Sequence, residues 1–529
     1  MPYFADLPRV VRKEITWINH PESVVTDDTL EATASPGKSG YIPEDILKPS
    51  EEQRSYWPIF TAGAGLFSDG YVANSIGVAA TCFKKIYGAD KVTGSKAMSN
   101  VASIAFVGTV VGQLSFGFVS DYVSRKVGML VSSGGLIIFA ILCAGAWGVG
   151  TEAKYGGNPG GVFAALAAYR FFLGVFIGAE YPTGSAACAE ASALLPAGHR
   201  NRYFSWFTNT MIDLGFVVAA FVPMVCLWIF KPHNLQPVWR ITLGLGAIPP
   251  LSLFLLRLKF KEGEQFRKTN FKHVKVPWGL VFKYYWFRLF IVMLIWWIYD
   301  FSAYAFGIYS TTILDIIIPD GDLYKTFGWN VVFNLFYMPG AFAGALVADY
   351  IGPRLTLVTG VLLQAIFGFA MAGALPTLKE HVAGFTVFYG IFMTFGEFGP
   401  GDNIGLLASK TCATPVRGVY YSIAAAFGKI GAFCGTWAFP AFQANYKGDM
   451  GLQAPFYLAS SLAIVSAGLA LFFLPPVDQE AMQREDVDFL NYLQDNGFDI
   501  SQLGDGLLRE ALKEKEIVHE DFEPSKASD

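Results

Sequence analysis

Between residues 57 and 474 the chain is a succession of apolar runs, each about 20 residues long, separated by short polar connections. A helix of that length crosses the roughly 30 Å hydrocarbon core of a bilayer. Twelve such runs are predicted, at 57–80, 98–119, 127–149, 161–187, 203–229, 239–257, 285–316, 328–349, 353–374, 382–407, 417–441 and 452–474. None shows the strict alternation of a barrel strand, and in lipid only helices and closed barrels satisfy their backbone internally. The pattern predicts an all-α membrane protein of twelve transmembrane helices. Residues 1–56 are polar and lack the basic and apolar regions of a signal peptide. From about 475 the chain turns acidic: Val477 to Asp529 holds 15 Asp and Glu against 5 Lys and Arg. Such a tail is expected to be solvated and disordered, with at most a short helix in 491–516.

Composition agrees with this class. Of 529 residues 53% are hydrophobic and only 16% charged, against about 25% in a soluble domain. A soluble enzyme, a nucleic-acid binder and a disordered scaffold fit poorly, and a net charge of −4 argues further against a polyanionic partner. Six cysteines lie scattered, mostly inside apolar runs, without metal-ligand spacing, so neither a metal site nor a disulfide framework is expected. Lys and Arg in the short loops set the orientation. The loops after the second, fourth, sixth, eighth and tenth spans carry fifteen, including those of the basic connection 258–284; the opposite loops carry about nine. Both termini are therefore expected in the cytoplasm.

The chain repeats itself. GFVSDYVSRKVG follows the second span and VADYIGPRLTLV the eighth, aligning Asp121 with Asp349 and Lys126 with Arg354. Nearly the same offset brings Asp69 of the first span to Asp300 of the seventh. The expected division is 1–56, a six-helix bundle at 57–257, a basic linker at 258–284, a second bundle at 285–474 and the tail from 475 to 529. Internal repeats with a site at the midplane are the plan of secondary transporters.

Charges inside the membrane cost at least about 2.5–3.5 kcal/mol each on insertion scales, so each needs a reason. They are Asp69, Arg170, Glu180, Asp213, Asp300, Glu397, Asp402 and Lys429. Acids outnumber bases, which suits a carboxylate that exchanges protons as its surroundings change. No G-x-x-x-x-G-K-[ST] run is present, so an ion gradient is the expected energy source, with the proton as coupling ion and no cofactor.

The two Asp-x-x-Gly/Ser-x-Arg/Lys loops, with Asp121, Arg125 and Lys126 in one and Asp349 and Arg354 in the other, resemble the signature of the major facilitator superfamily. Arg170, Gly174 and Gly178 resemble its motif in the fourth helix. The resemblance implies a conformational latch formed by these residues. Further motifs are similar to the phosphate:proton symporter family: Glu180-Tyr181-Pro182, the spacing Trp296, Asp300, Tyr304, the pair Asn403 and Pro415, and the run Ala426, Gly428, Lys429, Gly431, Ala432. By that resemblance Tyr181, Trp296, Asp300, Tyr304 and Asn403 contact a phosphate group, and Asp69, Glu180 and Asp300 couple protons. Lys429 either balances the anion or simply pairs with a carboxylate.

The departures point to a branch. Glu180 replaces an Asp, Asp213 falls where that family has Gln, and Glu180–Ser185, Gly399–Leu406 and Ser409–Tyr421 resemble the fungal glycerophosphodiester permeases. Gly184, Gly399, Gly401 and Gly405 either widen the pocket or pack helices. Asp213 then serves inositol hydroxyls or a choline cation. The expected protein is a monomeric plasma-membrane symporter, not an enzyme, that imports glycerophosphoinositol or glycerophosphocholine by alternating access. An inorganic phosphate symporter and a non-transporting nutrient receptor are the alternatives; a membrane phosphodiesterase would need a metal cluster or a nucleophile–base pair, and the sequence offers neither.

Overall fold

The computed structural model describes residues 55–510 apart from 94–95, 150–156, 197 and 319–320, with isolated positions near both ends. The expectations for 1–54 and for the end of the tail fall outside the described residues. Twelve helices run back and forth: α1 (Trp57–Gly63 continuing as Phe67–Tyr87), α2 (Ala97–Val123), α3 (Arg125–Ala144), α4 (Gly160–Ala193), α5 (Arg200–Phe230), α6 (Leu235–Arg257), α7 (Trp278–Ile317), α8 (Leu323–Ile351), α9 (Pro353–Leu378), α10 (Val382–Lys410), α11 (Arg417–Asn445) and α12 (Met450–Phe473). Ten of them are apolar enough over a membrane's thickness to be read as spans by composition alone. The exceptions are α1 and α11, the helices that carry Asp69 and Lys429. Large apolar side chains such as Phe118, Ile138, Trp228, Leu255, Phe290 and Ile464 remain exposed on the outside, where lipid rather than water covers them.

Glycine sets how closely helices approach. Gly108 and Gly112 of α2 lie against the backbone of Phe171 and Val175, while Gly174 and Gly178 of α4 lie against Ala105 and Thr109. Any side chain there would drive the helices apart, which is the small-residue packing of membrane helices. Between the halves, α2 meets α11 and α5 meets α8, the two equivalent pairs of a six-plus-six repeat.

The two loop motifs close one face symmetrically. Asp121, at the end of α2, accepts the backbone N–H groups of Gly418 (2.9 Å) and Val419 (2.7 Å) at the start of α11. Asp349, at the end of α8, accepts the N–H of Asn201 (3.1 Å) and the guanidinium of Arg202 (2.5 Å) at the start of α5. Each carboxylate thus caps the positive N-terminal end of a helix in the opposite half. Arg125 extends the first latch to Glu190 (2.6 Å), which also takes Arg417 (3.2 Å).

Three residues expected in the latch lie elsewhere. Lys126 donates to the carbonyl of Leu258 at the end of α6. Arg354 donates to that of Leu474 just after α12. Arg170 ties α4 to the carbonyls of Val101, Val72 and Ala102 in α2 and α1, within its own half. These contacts run to helix ends and backbone carbonyls within one half.

The acidic tail is not solvated throughout. Its helix α13 (Ala481–Asp495) buries Val487, Phe489, Leu490 and Leu493 against Phe271, Tyr285 and Tyr420. The expected window starts too late, because the apolar residues that dock the helix begin before residue 491. Asp486 is fully buried and accepts from Thr414 N (2.5 Å), Thr414 Oγ1 (2.7 Å) and Gln265 Nε2 (2.6 Å). Burial lifts its carboxyl to about 6, held from rising further by Arg417 and the Thr414 hydrogen bonds. The linker is also folded: its short helix Glu264–Thr269 places Phe266 under the Arg125 guanidinium, 4.2 Å from the ring centroid.

Two stability outcomes are expected. Asp486→Ala strands three donors, costs about 2 kcal/mol, and lowers the Tm in detergent while speeding hydrogen exchange across 481–495. Within the first half, Glu180 and Arg257 form a fully buried pair at 2.6 and 2.7 Å, with Ser132 donating to the same carboxylate. Arg257→Met alone leaves a bare buried carboxylate, a loss of about 3–5 kcal/mol. Adding Glu180→Gln recovers most of the folded protein, scored by size-exclusion recovery after heating.

Candidate functional site

Trp296, Asp300 and Tyr304 follow one another at steps of four along α7, which places them on one face of the helix. That face looks toward α1 and α11. Helix α11 comes close because Gly428 lies against the Trp296 ring and Gly431 and Gly435 against the backbone of Trp297 and Phe301. Helix α4 contributes Tyr181, at the first residue of a wider π-type turn that runs to Ser185. Such turns are rare within α-helices and frequent at functional sites; here Pro182 cannot donate a backbone hydrogen bond and breaks the regular ladder.

These elements converge on Lys429, which is 1% exposed. Its Nζ lies 3.0 Å from Asp69 and 3.4 Å from Asp300, and 3.6 Å from the centroid of the Tyr304 ring. Asp69 also accepts the hydroxyls of Tyr304, at 2.6 Å, and of Tyr181. With both acids ionised the centre carries one net negative charge. Its members come from α1 and α4 in one half and α7 and α11 in the other, so it bridges the halves as the latches do.

Beside it lies a cavity of about 40 Å³, walled by Tyr181, Trp296, Asp300, Tyr304 and Tyr337 among others. That volume holds about three waters, far below the roughly 300–1,000 Å³ of a small-molecule site. Contacts between the halves on the far side, such as Asn74 with Asn334 at 3.2 Å and Trp437 with Ser103 at 3.1 Å, complete an occluded arrangement. At its other end Asp213 of α5, expected at the substrate, stands with Glu397 and Asp402 of α10, to which the sequence assigned no role; all three are reached by Asn209 Nδ2 at 3.1–3.3 Å. Tyr299 donates to Glu397 at 2.9 Å. Glu397 begins a second π-type turn, Glu397–Gly401, so α4 and α10 break their ladders at matching places.

The structure thus brings together Asp69, Tyr181, Trp296, Asp300, Tyr304 and Lys429, and puts Asp213 on the same cavity. It does not bring in Asn403, whose amide donates to the carbonyls of Phe398 and Gly399 in its own helix. Glu180, expected to join proton coupling, is held by Arg257 at the end of α6. Of the four glycines, Gly401 and Gly405 line the cavity, whereas Gly184 and Gly399 lie against the backbone of Ala62 and Gly360. Asn209, Tyr299 and Tyr337 went unnoticed; the i,i+4 spacing of Asn209 and Asp213 was the available signal.

Comparison with known proteins agrees with this architecture. The family model for "sugar (and other) transporter" matches residues 58–267 and 259–483. A glycerophosphocholine permease of Candida albicans is 54% identical over 96% of this chain and 93% of its own length. A major glycerophosphoinositol permease of the same yeast is 55% identical over 92% and 93%. The glycerophosphoinositol transporter 1 of Saccharomyces cerevisiae is 31% identical over 93% and 91%. Among solved structures, the proton:xylose symporter bound to 6-bromo-6-deoxy-D-glucose superposes with a TM-score of 0.67 at 16% identity, covering 82% of this chain and 98% of its own. The chain belongs to the sugar (and other) transporter family of the major facilitator superfamily, in the branch formed by the fungal glycerophosphodiester permeases.

Proposed function

We propose that this protein imports glycerophosphodiesters across the plasma membrane by proton-coupled alternating access, with both termini in the cytoplasm. The observation that carries the reading is Lys429 held between Asp69 and Asp300. A phosphodiester carries one negative charge, and the centre already has a surplus of one. Two unit charges 4 Å apart repel by about 4 kcal/mol at an effective dielectric near 20, enough to exclude the anion while both acids are ionised. A proton on Asp300 removes the surplus, frees Lys429 for the phosphate oxygens and gives the carboxyl a donor hydrogen of its own. Substrate and proton therefore favour each other's binding, which is the linkage a symporter needs.

The hydroxyls of Tyr181 and Tyr304 add donors without adding charge. Glu180 stays outside this cycle, neutralised by Arg257. The face closed by the Asp121 and Asp349 latches is the one with the larger share of Lys and Arg, so the occluded form has its cytoplasmic gate shut. Inorganic phosphate suits the cavity less well, because it has no head group to place against the three carboxylates around Asn209. A receptor without transport would have no use for paired latches that cap helices across the halves.

Three outcomes are expected in transporter-deficient cells given labelled glycerophosphoinositol or glycerophosphocholine at acidic pH. The wild type accumulates label and a protonophore abolishes it. Asp300→Asn, which keeps the geometry but cannot cycle a proton, loses accumulation and retains exchange of internal for external substrate. Accumulation at the wild-type level in that variant would remove Asp300 from coupling. Lys429→Gln lowers kcat/KM by about 10²-fold, the scale of losing one partner of a buried charge pair.

A further inference from the structure

The cavity has two ends of opposite demand. Beside one end a single cation, Lys429, faces two acids. At the other, Asp213, Glu397 and Asp402, each at most 4% exposed, surround one asparagine amide. Asn209 has two donor hydrogens and three carboxylates to serve. Its contacts, 3.1–3.3 Å, lie at the long end of ordinary N–H···O bonds. No basic residue lines the cavity among the described residues. The Tyr299 hydroxyl goes to Glu397, and Asp213 and Glu397 lie within hydrogen-bond reach of each other, so the three acids crowd together with one amide and one hydroxyl among them.

A second observation points to a ligand in the same place. The hydroxyl of Tyr337, 2% exposed, is in the cavity wall without a hydrogen-bond partner. Its ring packs against Phe216, 5.3 Å between centroids, and Phe204 and Tyr299 line the cavity with them. A buried hydroxyl left unmet costs about 1–3 kcal/mol, so it is a group the ligand can satisfy. Carboxylates enclosed by aromatic side chains make the environment that favours a large, weakly hydrated organic cation.

Resting on the reading above, we propose that Asp213, Glu397 and Asp402 form the head-group subsite and that it takes a quaternary ammonium. The preferred substrate is then a zwitterionic diester of the glycerophosphocholine type, phosphate toward Lys429 and ammonium toward the acids. The cation settles between α5 and α10, one helix from each half, where the Asn209 amide now stands in for it. Head-group charge thereby draws the halves together on the loaded cavity, and a neutral polyol head does so less well.

The test compares uptake of glycerophosphocholine, of its neutral isostere with the ammonium nitrogen replaced by carbon (the 3,3-dimethylbutyl diester), and of glycerophosphoinositol. The wild type is expected to favour the choline diester over the isostere by about ten-fold or more in kcat/KM. In the double variant Asp213→Asn with Glu397→Gln that ratio falls toward one. Equal use of charged and neutral diesters by the wild type, or preference for the inositol diester, overturns the subsite while leaving diester transport intact. A ratio preserved in the double variant overturns the residue assignment. If the double variant fails to reach the membrane, the isostere comparison in the wild type decides alone. Uptake of none of the three refutes the proposed function itself, and the subsite with it.

Discussion

A lysine in the middle of a membrane protein is stable only while something nearby supplies negative charge, and Lys429 takes that charge from two helices at once. Asp69 on α1 and Asp300 on α7 fall at nearly corresponding places in the two halves, and the lysine on α11 meets both. Much of the surrounding structure can be traced to holding it there. Glycines at 428, 431 and 435 let α11 approach α7 closely enough for Nζ to reach both acids. The Tyr304 ring lies under the ammonium, and its hydroxyl holds Asp69 in place. The polarity this demands is also why α1 and α11 are the two least membrane-like of the twelve helices by composition.

The contacts inside each half differ in kind from those between them. Glu180 and Arg257 are paired twice over, fully buried, with Ser132 and Ser133 completing their hydrogen bonds. Separating such a pair would leave two charges in a low-dielectric interior, so α4 and α6 are bound to move together. Between the halves, Asp121 and Asp349 instead cap helix N-termini near the membrane's edge. Backbone N–H groups and carboxylates at that depth can exchange their partners for water. Rigid halves joined by replaceable contacts are what alternating access requires; both kinds of contact are buried here, and what separates them is position, since the latches join helix ends of opposite halves while Glu180 and Arg257 lie within one half.

The docked tail adds a third tie on the latch face. Asp486 holds Thr414 in the connection between α10 and α11, next to Arg417, which shares Glu190 with Arg125. Gln479 donates to Asp349 at 2.9 Å. The segment after α12 therefore touches both latches. Its net negative charge and its buried apolar face answer two separate needs: the first meets the basic residues of this face, the second covers Tyr285 and Tyr420.

Hydropathy and its period determined most of the helices, the repeat and the side on which basic loops gather, because crossing a bilayer imposes a length and a composition on each segment independently of the others. The spacing of Trp296, Asp300 and Tyr304 was legible for the same reason: residues four apart share a face whatever lies opposite. Which charge meets which was a matter for the tertiary structure. Glu180 and Glu397 sit in like surroundings in the sequence, yet one meets Arg257 across its own bundle and the other meets Asp213 across the interface. Asn403 reads as a ligand by position and turns back onto its own helix. Val487, Phe489 and Leu490 lie in a stretch whose acidity suggested solvent, and only the surface formed by α7 and α11 gives them something to bury against. Partners far apart in the chain are chosen by packing, and no local pattern records that choice.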